Sequence, residues 1–304
     1  MAGEVRNIKV SSWHQHSLVF SILILLIFIC GGSNTFLQAQ TRIKPSIQIT
    51  QLAENFYKVY VHNFVNILVF NGPDGALLVD TGFEPVDRIE AELKKIGVDK
   101  IKFIINTHSH GDHVEGNVLL GREAVIISSH RCRDVLLEDD DFPKSGLPNL
   151  TFSDSMSLHF NDEKINLYFM PGHSDNDIVV HFTKANIVCI GDFGFFIPYS
   201  VWPGISANVY DMEKSMIRMT KRFSDKTLII RGHKSDYTMV DLNLNAEMVK
   251  EAIMLVSPLI QKGLDLEQIK EQNPLKNSAF SIVRENSEKW IENIFRDKRH
   301  SNKK

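Results

Sequence analysis

A surplus of basic charge is missing from this chain. Its 34 Lys and Arg stand against 37 Asp and Glu, a formal net charge of −3, with the two signs interspersed. That balance gives no global field to draw the protein to nucleic acid, and no extended basic surface of the kind a nuclease needs is evident. Cysteine is also scarce, with three in 304 residues. Only Cys132 and Cys189 lie beyond the N-terminal segment, too few for a disulfide framework. Cys189 falls inside an apolar run and reads as a small buried residue. No repeat of fixed period runs through the sequence.

Long apolar runs are few. Leu18–Cys30 follows Arg6 and Lys9 and is broken by Gly31-Gly32-Ser33. It has about the length of a signal-peptide apolar region and is short for a spanning helix, which needs roughly 20 residues. Cleavage after Ala39 is expected, giving an exported protein, periplasmic or secreted. An uncleaved membrane anchor is the alternative. The expected organisation is residues 1–39 as signal peptide, 40–241 as the main domain, and 242–304 as a C-terminal helical segment packed on it.

What is present is ample for a core, since 43% of the residues are apolar. Strands are expected at Phe56–His62, Val65–Phe70 and Ala76–Asp80, with a hairpin turn at Gly72–Gly75. Glu84–Ile96 has helical periodicity, placing Ile89, Leu93 and Ile96 on one face. Ile101–Ile105 reads as a buried strand, followed by a short helix near Val114–Leu120, a strand Ala124–Ser128 and a helix Arg131–Leu137. Glu138–Leu150, with its acidic run, reads as a mobile loop. Strands follow at Ser155–His159, Ile165–Met170, Asp177–Phe182, Ile187–Ile190 and Thr227–Ile230, with a helix over Asn208–Phe223. After His233 the texture is helical, over Leu242–Lys262, Leu266–Glu271 and Ser278–Arg296. This order implies an α/β fold: a four-layer αββα sandwich of two mixed sheets with outer helices, plus C-terminal helices.

The chemistry is concentrated where strands end. Asn106-Thr-His-Ser-His-Gly-Asp-His113 packs His108, His110, Asp112 and His113 into one turn after a buried strand. Folding a core does not require that density of imidazole, and neutral imidazole and carboxylate are preferred zinc ligands. His108 and His110, two apart, can reach one ion from a turning backbone, with Asp112 and His113 aimed at a second. Three later strand ends each deliver one more metal-competent residue: His173 after Met170-Pro-Gly, Asp192 after Ile190-Gly, and His233 after Arg231-Gly.

This order of residues resembles the metallo-β-lactamase-fold hydrolases. Val65–Gly82, ending in Asp80-Thr-Gly82, matches that family's opening strands and turn, and the likeness spans roughly Ile47 to Asp241. The resemblance implies one zinc on His108, His110 and His173 and a second on Asp112, His113 and His233, with Asp192 bridging both. A hydroxide shared by the ions would then attack a small ester, lactone, lactam or thioester, with Asp112 and Asp192 as the catalytic carboxylates. The best-known zinc β-lactamases carry Cys where this chain has Asp192, and flavodiiron proteins carry a carboxylate where it has His110. The pattern is closer to the glyoxalase II and lactonase branches. A β-lactamase proper, a mononuclear-iron oxidoreductase of the persulfide dioxygenase type and a non-catalytic metal scaffold are the alternatives. Glutathione recognition needs basic residues near the C-terminal helices, and Lys270, Lys276, Arg284 and Lys289 alternate there with acids.

Around this set, Asp80 is either a partner of a ligand histidine or a turn cap. Asn117 is either an oxyanion donor or a turn cap. Tyr199, Lys234 and Tyr237 are candidate substrate contacts, as are Trp202 and Arg231. The partner implied is a small molecule, with a membrane touched only through the N-terminal segment.

Overall fold

Hydrophobic patterning builds two sheets whose inner faces meet. The computed structural model describes residues 46–83, 85–193, 208–233, 237–279 and 284–301. The larger sheet runs in spatial order from β1 (Ile47–Ala53) through β2 (Phe56–Val61), β3 (Val65–Gly72), β4 (Gly75–Val79), β5 (Ile101–Ile105) and β6 (Val125–Ser129) to β7 (Leu150–Phe152). Its first four strands are antiparallel meanders, and β4 to β7 pair in parallel. The smaller sheet has the order β12 (Leu228–Ile230), β11 (Ile187–Cys189), β10 (Ile178–Phe182), β9 (Glu163–Phe169) and β8 (Ser155–Phe160). Only β11 and β12 pair in parallel there.

Three large apolar layers make up most of the core among the described residues. Between the sheets, Leu68, Phe70 and Leu77 meet Leu167, Val180 and Phe182. On the outer face of the larger sheet, α1 (Val86–Lys95) lays Ile89 and Leu93 over Ile67 and Leu78. Each such buried side chain contributes about 1.5–3 kcal/mol. On the outer face of the smaller sheet, α5 (Val209–Arg222) and α6 (Met239–Gln261) bury Met212, Met216 and Val249 with Val179 and Val188. Two further helices, α7 (Leu266–Gln272) and α8 (Arg284–Ser301), add Ile269, Trp290 and Ile294 to that same layer. Strands buried on both faces read as near-continuous apolar runs for this reason, as Ile67–Phe70 does in β3. The expected four-layer αββα sandwich is the architecture observed.

Several local readings change. β1 and β7 were not anticipated, and neither was a 3₁₀ turn at Lys144–Gly146. Residues 138–150, expected to form a mobile loop, are tied to the sheet: Ile126 N–H donates to Asn149 Oδ1 at 3.0 Å, and Gly146 and Leu147 are buried. The single helix expected at Val114–Leu120 is two short ones, α2 (Gly111–Val114) and α3 (Asn117–Leu120), and the helix expected at Arg131–Leu137 is α4 (His130–Glu138). α2 and α3 part at Gly116, where a Cβ would lie 2.4 Å from the Thr81 carbonyl oxygen. α6 begins at Met239, because Thr238 and Asp241 form a reciprocal capping box. Residues 1–39 lie outside the described residues, so the expected signal segment has no structural account.

Candidate metal centre

Strand register brings the site residues to one end of the sandwich. Val79 of β4 pairs with Ile105 of β5, so Asp80 abuts the turn that opens at Asn106. There Asp80, at φ 63°, accepts from Thr107 N–H at 2.7 Å and Thr107 Oγ1 at 2.8 Å. Its Oδ2 also lies 2.8 Å from His113 Nδ1. On the other sheet, Cys189 pairs with Ile230, which sets Asp192 beside His233 at adjacent strand ends. Gly232 N–H donates to the Gly191 carbonyl at 2.7 Å and fixes that adjacency. His173 sits in the turn between β9 and β10. His233 Nδ1 lies 2.9 Å from the Phe64 carbonyl, and the ring of Phe64, 44% exposed, packs edge-on against it.

Two ligand-competent groups result. His108, His110, His173 and Asp192 place one donor atom each within 4.8 Å of one another, as do Asp112, His113 and His233. Asp192 touches both. Its Oδ2 lies 3.5 Å from His173 Nε2 and 3.9 Å from His108 Nε2, and its carboxylate is 3.1 Å from His233 Nε2 and 3.3 Å from His113 Nε2. Asp112 Oδ2 lies 3.1 Å from His233 Nε2 and 3.6 Å from His113 Nε2. All seven expected metal residues are therefore assembled at one place. Five are nearly or wholly buried, His110 is partly exposed, and the Asp112 side chain keeps 25% exposure.

The electrostatics differ between the groups. Burial and the neighbouring imidazoles push His108 well below its ordinary pKa, and burial with His173 pushes His110 down to about 3. Both stay neutral, the form a metal needs. Around His113, burial opposes the charge but is outweighed by Asp192, Asp112 and Asp80, so its pKa rises well above ordinary. Burial likewise opposes the charge of His233, and Asp192 and Asp112 outweigh it, to about 9. Burial also works against the Asp192 carboxylate, yet His113 and His233 hold its pKa well below ordinary. Protons on His113 and His233 are thus what a cation would displace. Among the described residues, His108 Nε2 and His110 Nε2 are buried without a hydrogen-bond partner. Buried polar atoms are normally satisfied, and a metal ion would satisfy these.

The expected substrate contacts fare differently. Asn117 is wholly buried and its amide is saturated. Nδ2 donates to Asn106 Oδ1 at 2.9 Å and to the Gly146 carbonyl at 2.9 Å, and Oδ1 accepts from Thr81 Oγ1 at 3.1 Å and Asn106 Nδ2 at 3.0 Å. No donor is left for an oxyanion, so Asn117 fastens the base of the metal loop instead. Tyr237 is buried in the layer of α5 and α6, with Arg231 over its ring at 4.7 Å and Asn245 Nδ2 donating to its hydroxyl. It is a packing residue, not a substrate contact. Tyr199, Lys234 and Trp202 lie outside the described residues. Cys132 and Cys189 are both buried free thiols. Sequence reading missed Gly232, Phe64 and Asn176. The polar run Ser174-Asp175-Asn176-Asp177 before a buried strand was the available signal for the last.

Residues 61–233 match the family model described as the metallo-beta-lactamase superfamily, and the chain belongs to that superfamily. A hydroxyacylglutathione hydrolase of Synechocystis is 31% identical over 167 residues, 52% of this chain and 60% of that protein. The match thus spans about three fifths of that relative's length. A hydroxyacylglutathione hydrolase of Prochlorococcus marinus is 24% identical over 260 residues, 80% of this chain and 90% of the relative. The solved metallo-beta-lactamase from Pontibacter korlensis shares the fold, with a TM-score of 0.59 at 17% identity, covering 67% of this chain and 99% of that one.

Proposed function

We propose that this chain is a binuclear zinc hydrolase acting on a small carbonyl substrate: an ester, lactone, lactam or thioester. The observation that carries the reading is the Asp192 carboxylate, which lies within 4 Å of His108 and His173 of one group and of His113 and His233 of the other. His108, His110 and His173 would hold one ion, Asp112, His113 and His233 the second, and Asp192 both. Zinc so held supplies Lewis acidity toward a carbonyl oxygen and water acidified to a pKa near 7.

The chain's own residues do the rest. Asp80 and the Phe64 carbonyl take the Nδ1 sides of His113 and His233, so both rings present Nε2 to the site. Asp112, the carboxylate with solvent access, is placed to carry a proton between the site and water. Burial of His108, His113, His173, Asp192 and His233 keeps bulk water from screening the charges.

Both relatives described above are named hydroxyacylglutathione hydrolases, which supports thioesters as the first substrates to try. A dedicated glutathione subsite has less support. Lys270 and Lys289 both pair with Glu292, at 2.9 and 3.3 Å, so these two lysines are locally balanced. The test is turnover by zinc-loaded protein on a panel of thioesters, acyl-homoserine lactones, aryl esters and nitrocefin. Hydrolysis of at least one member, lost with chelator and restored by zinc, is expected. Failure on every class would contradict the reading.

A further inference from the structure

The two ligand groups share the turn after β5 but are completed and oriented by different partners. His113 and His233 are oriented through their Nδ1 atoms, by Asp80 and by the Phe64 carbonyl. The three histidines of the other group arrive on two separate segments, the turn after β5 and the turn between β9 and β10. Among the described residues, two side-chain contacts join them: the ligand rings themselves, with His173 Nε2 3.1 Å from His110 Nδ1, and Asn176. Asn176, wholly buried, accepts from Ser109 N–H through its Oδ1 at 2.9 Å. Ser109 lies between His108 and His110, and Asn176 lies in the turn that carries His173.

That turn is anchored in its own right. The buried Asp177 carboxylate accepts from Gly172 N–H at 3.0 Å, Ser174 N–H at 2.7 Å and Ser174 Oγ at 2.5 Å. Ser129 Oγ donates to the Asn176 carbonyl at 2.7 Å, and Arg131 Nε donates to Asp175 at 2.7 Å. The Asn176 amide oxygen is therefore fixed from its own side. It transmits the position of the His173 turn to the backbone between His108 and His110. Metal affinity depends on how rigidly the ligands are held at their separation.

We infer that Asn176 is a positioning residue for the His108, His110 and His173 group alone, leaving the rings of His113 and His233 to Asp80 and the Phe64 carbonyl. This rests on the metal-binding reading above and adds that the two groups are positioned independently. One backbone bond, Ile178 N–H to the Thr107 carbonyl at 2.8 Å, joins the same two segments and survives any change at Asn176. The effect is therefore a weakened group and not a lost one.

The test uses two backgrounds of the full chain. His233→Ala leaves the first group intact, and His110→Ala leaves the second. Zinc affinity is measured by competition with a chromophoric chelator, with thermal melts alongside. Adding Asn176→Ala to His233→Ala is expected to weaken zinc binding about 10–100-fold. Adding it to His110→Ala is expected to leave affinity unchanged. Asn176→Asp, which keeps an acceptor for Ser109 N–H, restores binding in the first background. If Asn176→Ala does not fold, Asn176→Ser, whose shorter side chain falls away from Ser109, serves the same comparison. Unchanged affinity in the His233→Ala background, or equal weakening in both, would overturn the inference. A His233→Ala parent that binds no zinc would overturn the metal reading itself, and this inference with it.

Discussion

Asp192→Ala is expected to abolish hydrolysis, by on the order of a hundredfold or more, while the fold survives. The fold survives because the strand before it does not depend on this side chain. Ile187, Val188 and Cys189 of β11 are paired with β10 on one side and β12 on the other, and all are buried. Function fails because the carboxylate is the shared contact of both groups. It lies within 4 Å of His108, His113, His173 and His233. Without it, His113 and His233 lose the strongest neighbouring charge that raises their pKa, and the two groups lose their common contact. Asp192→Cys is expected to be milder, since a thiolate still binds zinc. The measurement is turnover on any accepted substrate, with zinc content and circular dichroism. Turnover near wild type in Asp192→Ala would mean that this residue is only a strand-end turn.

Gly232→Ala is expected to reduce turnover by a comparable factor, for a steric reason. A Cβ at Gly232 would lie 2.2 Å from Asp192 Oδ1 and 2.5 Å from His113 Cε1. Real Cβ contacts are essentially never that short, so the carboxylate, the ring or the strand end must shift. The strand end has little freedom, since Gly232 N–H is bound to the Gly191 carbonyl and its own carbonyl accepts from Asn66 N–H at 2.6 Å. Displacement of a ligand by about 1 Å can cost roughly a hundredfold in rate. Overpacking should also destabilise by about 1–3 kcal/mol. Gly263→Ala is the control. It sits at φ +83° with nothing within 4 Å of a Cβ, so it carries backbone strain but no contact with the site. Its zinc content and kcat should match the parent, while Gly232→Ala loses both. Equal behaviour of the two variants would contradict the account.

The site was largely legible because its signal is local. His108, His110, Asp112 and His113 crowd one turn, and His173, Asp192 and His233 each follow a short apolar run. Those runs are buried strands, so their ends converge once the sheets form. The layers were legible for the same reason: β3, β5 and β10 are apolar enough to declare themselves. β1 was not, because it lies at a sheet edge and its Ile47-Gln-Ile-Thr-Gln-Leu-Ala53 pattern exposes most side chains. β7, with three residues at the opposite edge, is too short to show a period. The roles of Asn117 and Asn176 were hidden by distance. Asn117 reaches a carbonyl 29 residues away, and Asn176 an amide 67 residues away, so neither partner is visible from local spacing. Gly232 belonged to a recognised strand–Gly–His pattern, but its reason, the carboxylate and ring pressed against it, exists only in three dimensions.

The most direct test of the central claim is metal content. Protein stripped of metal, reconstituted with zinc in chelator-free buffer and desalted, should carry two ions per chain by elemental analysis. Seven ligand-competent residues in two abutting groups are more than one tetrahedral site uses. One ion or none per folded chain would contradict the binuclear reading.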